Sequence, residues 1–424
     1  MTTSASLSVN RVRPRVGLFG FVGSGNLGND AAFEVVLDYL RRSHPDAVVD
    51  AMCMGPERVE DVYRIPAQAM LWYKKYEGRV PLPAAAGLKV LGKAVALVRI
   101  AAWVRRHEIV VVPGAGALES TLPMRASGYP LAICALCLAG RVSGTKVALV
   151  SVGANSMKQR LTRWVQNAGA RRAAYRSYRD LQSWEAMRAR GVDVSEDPVY
   201  PDLVFGQPVR ARDTAQPERV GVGLMAYFGG NDDRRRASAL HAHYVDTMTS
   251  FVIWLLDTGH PVRIFWGDSD ESIDVPVVTR LVNDVRRARP GLDPGLLVAD
   301  PLTSPADLMA GLAEVGLFVG TRYHNVVSAL RSSKPTISIG YSDKFSVLMD
   351  EMGLGRFTQS ACSVDFGLLT SQFDELVQQR DEIASDLARR NLVIGARLDQ
   401  QFDYLSTVLF STPRWTPQPA VTGS

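Results

Sequence analysis

Residues 15–44 read RVGLFGFVGSGNLGNDAAFEVVLDYLRRSH. The opening RVGLFG is a short apolar run of the kind that makes a buried strand. After a glycine-rich stretch, DAAFEVVLDYLRRSH repeats its apolar residues at helical spacing. The order is strand, loop, helix, and it recurs. VVDAMCM at 48–54, EIVVVPG at 108–114 and KVALVSVG at 146–153 are strand-like, with helical sequence between them, and VYPDLVF at 199–205 is a last strand-like piece. Alternation of this kind predicts a mostly parallel sheet covered by helices.

The polar run GQPVRARDTAQPER, residues 206–219, holds two prolines and no apolar periodicity, which places a domain boundary there. A second alternating series follows: VGVGLMAY from 220, HPVRIFWGD from 260, GLLVAD from 295, GLFVGT from 316 and PTISIG from 335. From Ser371 to Leu409 the leucine and charge spacing fits one or two helices. The expected fold is α/β: two doubly wound Rossmann-like domains, 14–207 and 218–410, facing each other across a cleft, with 411–424 a flexible tail. Ligands of such sheets bind at the carboxyl ends of the strands, so the loops there carry the functional reading.

Bulk properties agree with this division. A chain of 424 residues exceeds one ordinary core, and 46% hydrophobic with 21% charged residues is the balance of a globular protein. The net charge of +5 suits anionic ligands but is diffuse, and no aromatic-plus-basic motif points to nucleic acid. Cys53, Cys134, Cys137 and Cys362 are too few and scattered for a disulfide scaffold, which fits a reducing cytoplasm. The N-terminal MTTSASLSVNRVRPR has no apolar run behind its charges, so no secretory signal is expected. Lys89, Lys93 and Arg99 interrupt the apolar stretch from Leu88 to Val104, which falls short of a membrane span. From Arg79 to Arg106 there are six cations and no acid. Peripheral contact with anionic lipid, with Trp103 on the cationic side, and a buried helix with a solvated rim are both readings of that segment.

Gly23 to Gly28 spell G-x-G-x-x-G, and Asp50 lies about where a ribose-binding acid would stand. The strand, however, already ends at Gly20, so these glycines come three residues too late to cradle a dinucleotide pyrophosphate. Asp30 is expected to cap the helix that follows, or to line a substrate together with Gly25 and Asn26. Gly114 and Gly116, after the strand at 108–112, and Gly153, after that at 146–152, offer backbone N–H groups to a sugar or anion, or are plain turns. Cys134 and Cys137 form C-x-x-C within a buried helical pattern that has no second ligand pair, and His241 and His243 open a helix face; no metal is expected. Gly320-Thr-Arg322-Tyr-His324 ends one strand and starts a helix, and Lys344 follows the next strand. Cations from neighbouring strand ends suit an anionic ligand in the cleft.

The chain resembles the polysaccharide pyruvyltransferase family. Gly25-Asn-Leu-Gly28-Asn29-Asp30 is similar to its first glycine motif, Pro113-Gly-Ala-Gly116 to its second, and Tyr178-Arg179-Asp180 to its arginine–aspartate pair. The series R-x-H, small-residue-K-P and Y-x-x-K is matched from Arg322 to Lys344. The resemblance implies a GT-B-like fold, phosphoenolpyruvate as donor, a sugar or glycolipid of the cell envelope as acceptor, and no metal or redox cofactor. It assigns the donor to Arg179, Arg322 and Lys344, proton transfer to His324, and the acceptor to Gly25, Asn26, Asp30, Gly114 and Gly116. The chain departs from the family pattern at Asn29 and in the less glycine-rich Pro113-Gly-Ala-Gly116, which bears on the acceptor. The competing readings are a GT-B glycosyltransferase with a nucleotide-sugar donor and a non-catalytic glycan-binding protein.

Overall fold

The computed structural model describes residues 13–72, 82–114, 116–119, 127–211, 219–230, 233, 235–268 and 273–411. The first half runs β1 (Arg15–Phe19), α1 (Leu27–Ser43), β2 (Val48–Cys53), α2 (Pro56–Tyr63), β3 (Ala67–Ala69), α3 (Leu82–Val104), β4 (Ile109–Pro113), α4 (Tyr129–Ser143), β5 (Lys146–Val152), α5 (Arg160–Ala170), β6 (Tyr175–Tyr178) and α6 (Leu181–Ala189). The second runs β7 (Arg219–Leu224), α7 (Ala237–Asp257), β8 (Val262–Trp266), α8 (Val275–Ala288), β9 (Leu297–Val298), α9 (Pro305–Ala313), β10 (Val315–Gly320), α10 (Tyr323–Arg331), β11 (Thr336–Gly340), α11 (Lys344–Glu351), β12 (Thr358–Ser360), α12 (Phe366–Gln378) and α13 (Arg380–Leu405).

Each half holds one six-stranded sheet, in the orders β3-β2-β1-β4-β5-β6 and β12-β11-β10-β7-β8-β9. Read from its other edge, the second order is the first with every strand number raised by six. All pairings are parallel. Every residue of β4 and β5 is buried, as expected of apolar strands covered on both faces. The order in which strands are added reverses between β1 and β4 and again between β7 and β10, and such switch points open a crevice at the strands' carboxyl ends.

Some local expectations change. VYPDLVF is not a strand: Val199 makes an isolated bridge to Tyr178, and Leu203–Gly206 is a 3-10 turn capped by Asp202, whose side chain accepts from Val204 N–H at 3.0 Å. Pro201 lacks the N–H a ladder needs. Asn26, not Asp30, caps α1, accepting from the N–H groups of Gly28 and Asn29 at 3.1 and 3.2 Å. Asp30 sits inside the first turn and accepts from Gly23 N–H at 2.8 Å. Asp50 lies within β2 and accepts from Trp103 Nε1 at 2.7 Å beside His107 Nε2 at 3.0 Å, so it ties the sheet to α3 rather than meeting a ribose. Trp103 is thereby turned into the core, away from the cationic side on which the sequence places it.

The last helix belongs to both halves. Asn391 of α13 donates to Leu330 C=O in the second half, whereas Gln401 bonds Ser151 and Ser177 under the first sheet. Phe402 stacks on Tyr39 of α1 with ring centroids 4.5 Å apart. Just beyond it, the carbonyls of Val408 and Leu409 accept from Lys146 at 3.1 and 2.8 Å. Among the described residues no helix is long and apolar enough to cross a membrane.

Candidate active site

The carboxyl ends of both sheets converge on one cluster. β6 ends at Tyr178, so Arg179 follows directly and Asp180 caps α6, accepting from Ser183 N–H at 2.6 Å. β10 delivers Arg322 to the N-cap of α10 and His324 to its first turn, and β11 delivers Lys344 to the start of α11. The loop after β4 brings Glu119, and the 3-10 turn brings Asp202.

Arg179 is buried and meets three carboxylates: Glu119 by Nη2, Asp180 by Nε at 3.3 Å and Asp202 by Nη1 at 3.4 Å. Its guanidinium lies 4.6 Å from the centroid of the Tyr323 ring. Lys344 donates to the other Glu119 oxygen at 3.1 Å and stands 4.9 Å from the same ring. His324 Nε2 is buried with no hydrogen-bond partner among the described residues, 3.9 Å from an Asp202 oxygen. The structure thus brings together Arg179, His324 and Lys344, with Glu119 and Asp202 between the cations. Arg322 is directed elsewhere: its Nε and Nη2 grip Asp274 at 2.8 and 2.6 Å.

Two glycines are required by close approach. A Cβ on Gly28 would fall 1.9 Å from His324 Nδ1, so the first glycine loop leaves room for an imidazole from the other domain. A Cβ on Gly153 would fall 2.3 Å from Glu119 Oε1 and 2.7 Å from Arg179 Cζ. Of the residues expected to meet the acceptor, Gly116 borders Glu119, while Gly114 packs on Ala32 and Leu203. Asn26 bridges to Asp268 beside a bond from Leu27 N–H to Gly267 C=O at 3.1 Å, and Gly25 precedes it with φ of 100°. Asp30 is fully buried, with Arg58 Nε at 3.6 Å.

Burial and pairing set the charges. Burial pushes the Glu119 carboxyl up, but the adjacent Arg179 and Lys344 outweigh it and hold the group down at about 2. Burial lowers Arg179, Lys344 and Arg322, yet their carboxylate partners leave all three raised and charged. Burial pushes His324 down to about 4, opposed by Asp202 and aided by Arg179 and Lys344, so its imidazole is neutral at pH 7. Nearer the first loop, burial lifts Asp30 to about 6 against the Gly23 N–H and Arg58, and Glu34 to about 7 against the Tyr63 hydroxyl.

The cluster lies between two cavities. One, about 420 Å³, is lined by Arg179, Tyr323, Lys344, Glu351, Arg390 and Arg397. The other, about 340 Å³, is lined by Glu119, Asn155, Arg179, Ser183, Ser342 and Lys344. The second lies at the N-termini of α6 and α11, where helix dipoles favour an anion. Sequence reasoning missed Glu119 and Asp202. Asp202 sits inside the strand-like run VYPDLVF, although Pro followed by Asp favours a turn. Glu119 carried no local signal beyond its place after the second glycine loop.

Two facing parallel sheets with the site between them define a GT-B fold, and solved structures agree. A putative UDP-N-acetylglucosamine 2-epimerase from Listeria monocytogenes superposes with a TM-score of 0.62 at 11% identity, covering 97% of this chain and 100% of that one. UDP-GlcNAc 2-epimerase from Neisseria meningitidis bound to UDP-GlcNAc gives 0.56 at 10%, covering 92% and 99%. The lipopolysaccharide outer core galactosyltransferase WaaB gives 0.51 at 13%, covering 94% and 99%. At these identities the likeness concerns the fold alone. Residues 26–343 match the family model "Polysaccharide pyruvyl transferase", and the chain belongs to that family of transferases. No curated protein matches the sequence.

Proposed function

We propose that this protein transfers a pyruvyl group from phosphoenolpyruvate to two hydroxyls of a sugar in a cell-envelope glycan or its precursor, forming a cyclic ketal. The observation that carries the reading is the largely buried cluster itself: charged Arg179 and Lys344 beside a neutral His324 whose Nε2 has no hydrogen-bond partner among the described residues. Phosphoenolpyruvate presents a carboxylate and a phosphate, and the cavity at the N-termini of α6 and α11 offers helix dipoles and both cations to such an anion. Arg322, held by Asp274, would shape the loop that carries His324.

In the first step a sugar hydroxyl oxygen bonds to C2 of the donor while the C2=C3 π pair takes a proton at C3, which becomes a methyl group; the hydroxyl's own proton, passed through His324, makes up for it, so the step adds O–H across the double bond. His324 Nε2 would receive the hydroxyl proton, and an incoming donor anion would raise its basicity above that of the empty site. In the second step the C2–phosphate bond breaks, the second hydroxyl oxygen bonds to C2, and its proton leaves with inorganic phosphate. Phosphoenolpyruvate is the only co-substrate in this scheme, and its supply places the reaction in the cytoplasm. The test is incubation with phosphoenolpyruvate, or with nucleotide-sugars, and a panel of free and lipid-linked glycans, read by mass and by phosphate release. A pyruvylidene mass gain matched by released phosphate is expected. Glycosyl transfer from a nucleotide-sugar, or no product with any donor, would overturn the reading.

A further inference from the structure

We propose that the face of the first domain formed by α3 and α4 docks on an anionic lipid surface. These two helices pack side by side, with α5 next to α4, over one face of the first sheet. The other face is covered by α1 and by the end of α13, so it has its partner within the chain. An exposed helix face is ordinarily polar. Here the outward stripe of α3 is apolar, with Leu91 64% and Val98 69% exposed, although the inward stripe of Ala96, Ile100 and Trp103 already supplies the core. α4 repeats the pattern, with Leu138 and Val142 facing out, Val142 81% exposed. Between the helices runs an apolar groove of about 590 Å³, floored by Leu97, Ala101 and Ala135.

Charge selects the occupant. Residues 82–107 and 127–179 contain no Asp or Glu, while Lys89, Lys93, Arg99, Arg105, Arg106 and Arg141 fall on α3, α4 and the turn after α3. Trp164 of α5, 68% exposed, adds an amphipathic ring of the kind that sits at headgroup level. A second copy of this chain would set these cations against themselves across a two-fold axis, which disfavours self-pairing. Apolar side chains ringed by cations without acids match the boundary between acyl chains and acidic headgroups.

The test uses the full chain and vesicles of equal parts phosphatidylglycerol and phosphatidylcholine, with pure phosphatidylcholine as the second arm. Co-flotation with the acidic vesicles at low salt is expected, weakened by salt and at least about tenfold weaker with pure phosphatidylcholine, since each cation near an acidic surface contributes roughly fivefold in partition. The variant Leu91→Glu/Val98→Glu/Val142→Glu changes exposed positions only and should unfold at the same temperature while losing flotation. Absence of flotation, equal binding to both vesicle types, or flotation kept by the triple variant would each overturn the proposal. So would a dimer in light scattering that the triple variant dissolves, which would assign the face to a second copy.

Discussion

Two groups of carboxylates near the domain junction meet opposite fates. Glu119 lies between Arg179 and Lys344 and is held ionised at about 2. Asp30, buried, has the Gly23 N–H at 2.8 Å and Arg58 at 3.6 Å, and Glu34, half-buried, has the Tyr63 hydroxyl at 3.0 Å; they rise to about 6 and 7. Burial pushes all three up. The difference is the number of cations within reach, and it shows that the Glu119 region is built to keep charge in a buried place while the Asp30 region is not.

The strongest way to break this contrast is to remove its cation. Arg179→Ala leaves Glu119, Asp180 and Asp202 buried together, and should lower stability by about 3–5 kcal/mol in urea unfolding. Adding Glu119→Gln should recover part of that loss. A single variant as stable as the parent would mean that the cluster is wetter and weaker than its geometry indicates. If the donor binds there, a folded Arg179→Ala protein should also lose phosphoenolpyruvate affinity in calorimetry.

His324 sharpens the contrast from the functional side. His324→Ala should keep most of its donor affinity and lose at least about a hundredfold in ketal formation at saturating donor. Loss of affinity with turnover intact would instead make the imidazole a phosphate contact. In the parent protein, NMR titration should find His324 neutral down to about pH 4.

The smallest effect concerns pH. Glu34 ionises at about 7 when folded against an ordinary 4.5, so between those values the native state holds more protons and stability falls as pH rises. The loss should be about 2–3 kcal/mol from pH 4.5 to 8, and Glu34→Gln should flatten it. Glu119 has the opposite sign: its contribution is present above 4.5 and is lost as pH falls toward 2. Urea midpoints at pH 3, 5 and 8 for the parent, Glu34→Gln and Glu119→Gln check both directions.

Much of this molecule is legible in short windows of sequence. Strand-loop-helix alternation from RVGLFG onward determined two parallel sheets, and with them the position of Arg322, His324 and Lys344 at strand ends; Arg179 stood out through the family resemblance, and the strand before it, Tyr175–Tyr178, appears only in the structure. Periodicity is a local property fixed by which faces are buried, so it survives without tertiary knowledge. Pairing is not local. Glu119 meets Arg179 from 60 residues away and Lys344 from 225, and Asp274 draws Arg322 out of the cluster from 48. Asp202 and the return of α13 to the first sheet were likewise decided by packing. The sequence by itself determined which cations stand at the mouth of the sheets; only the tertiary structure decided which carboxylates neutralise them, because that depends on distances set by the whole fold.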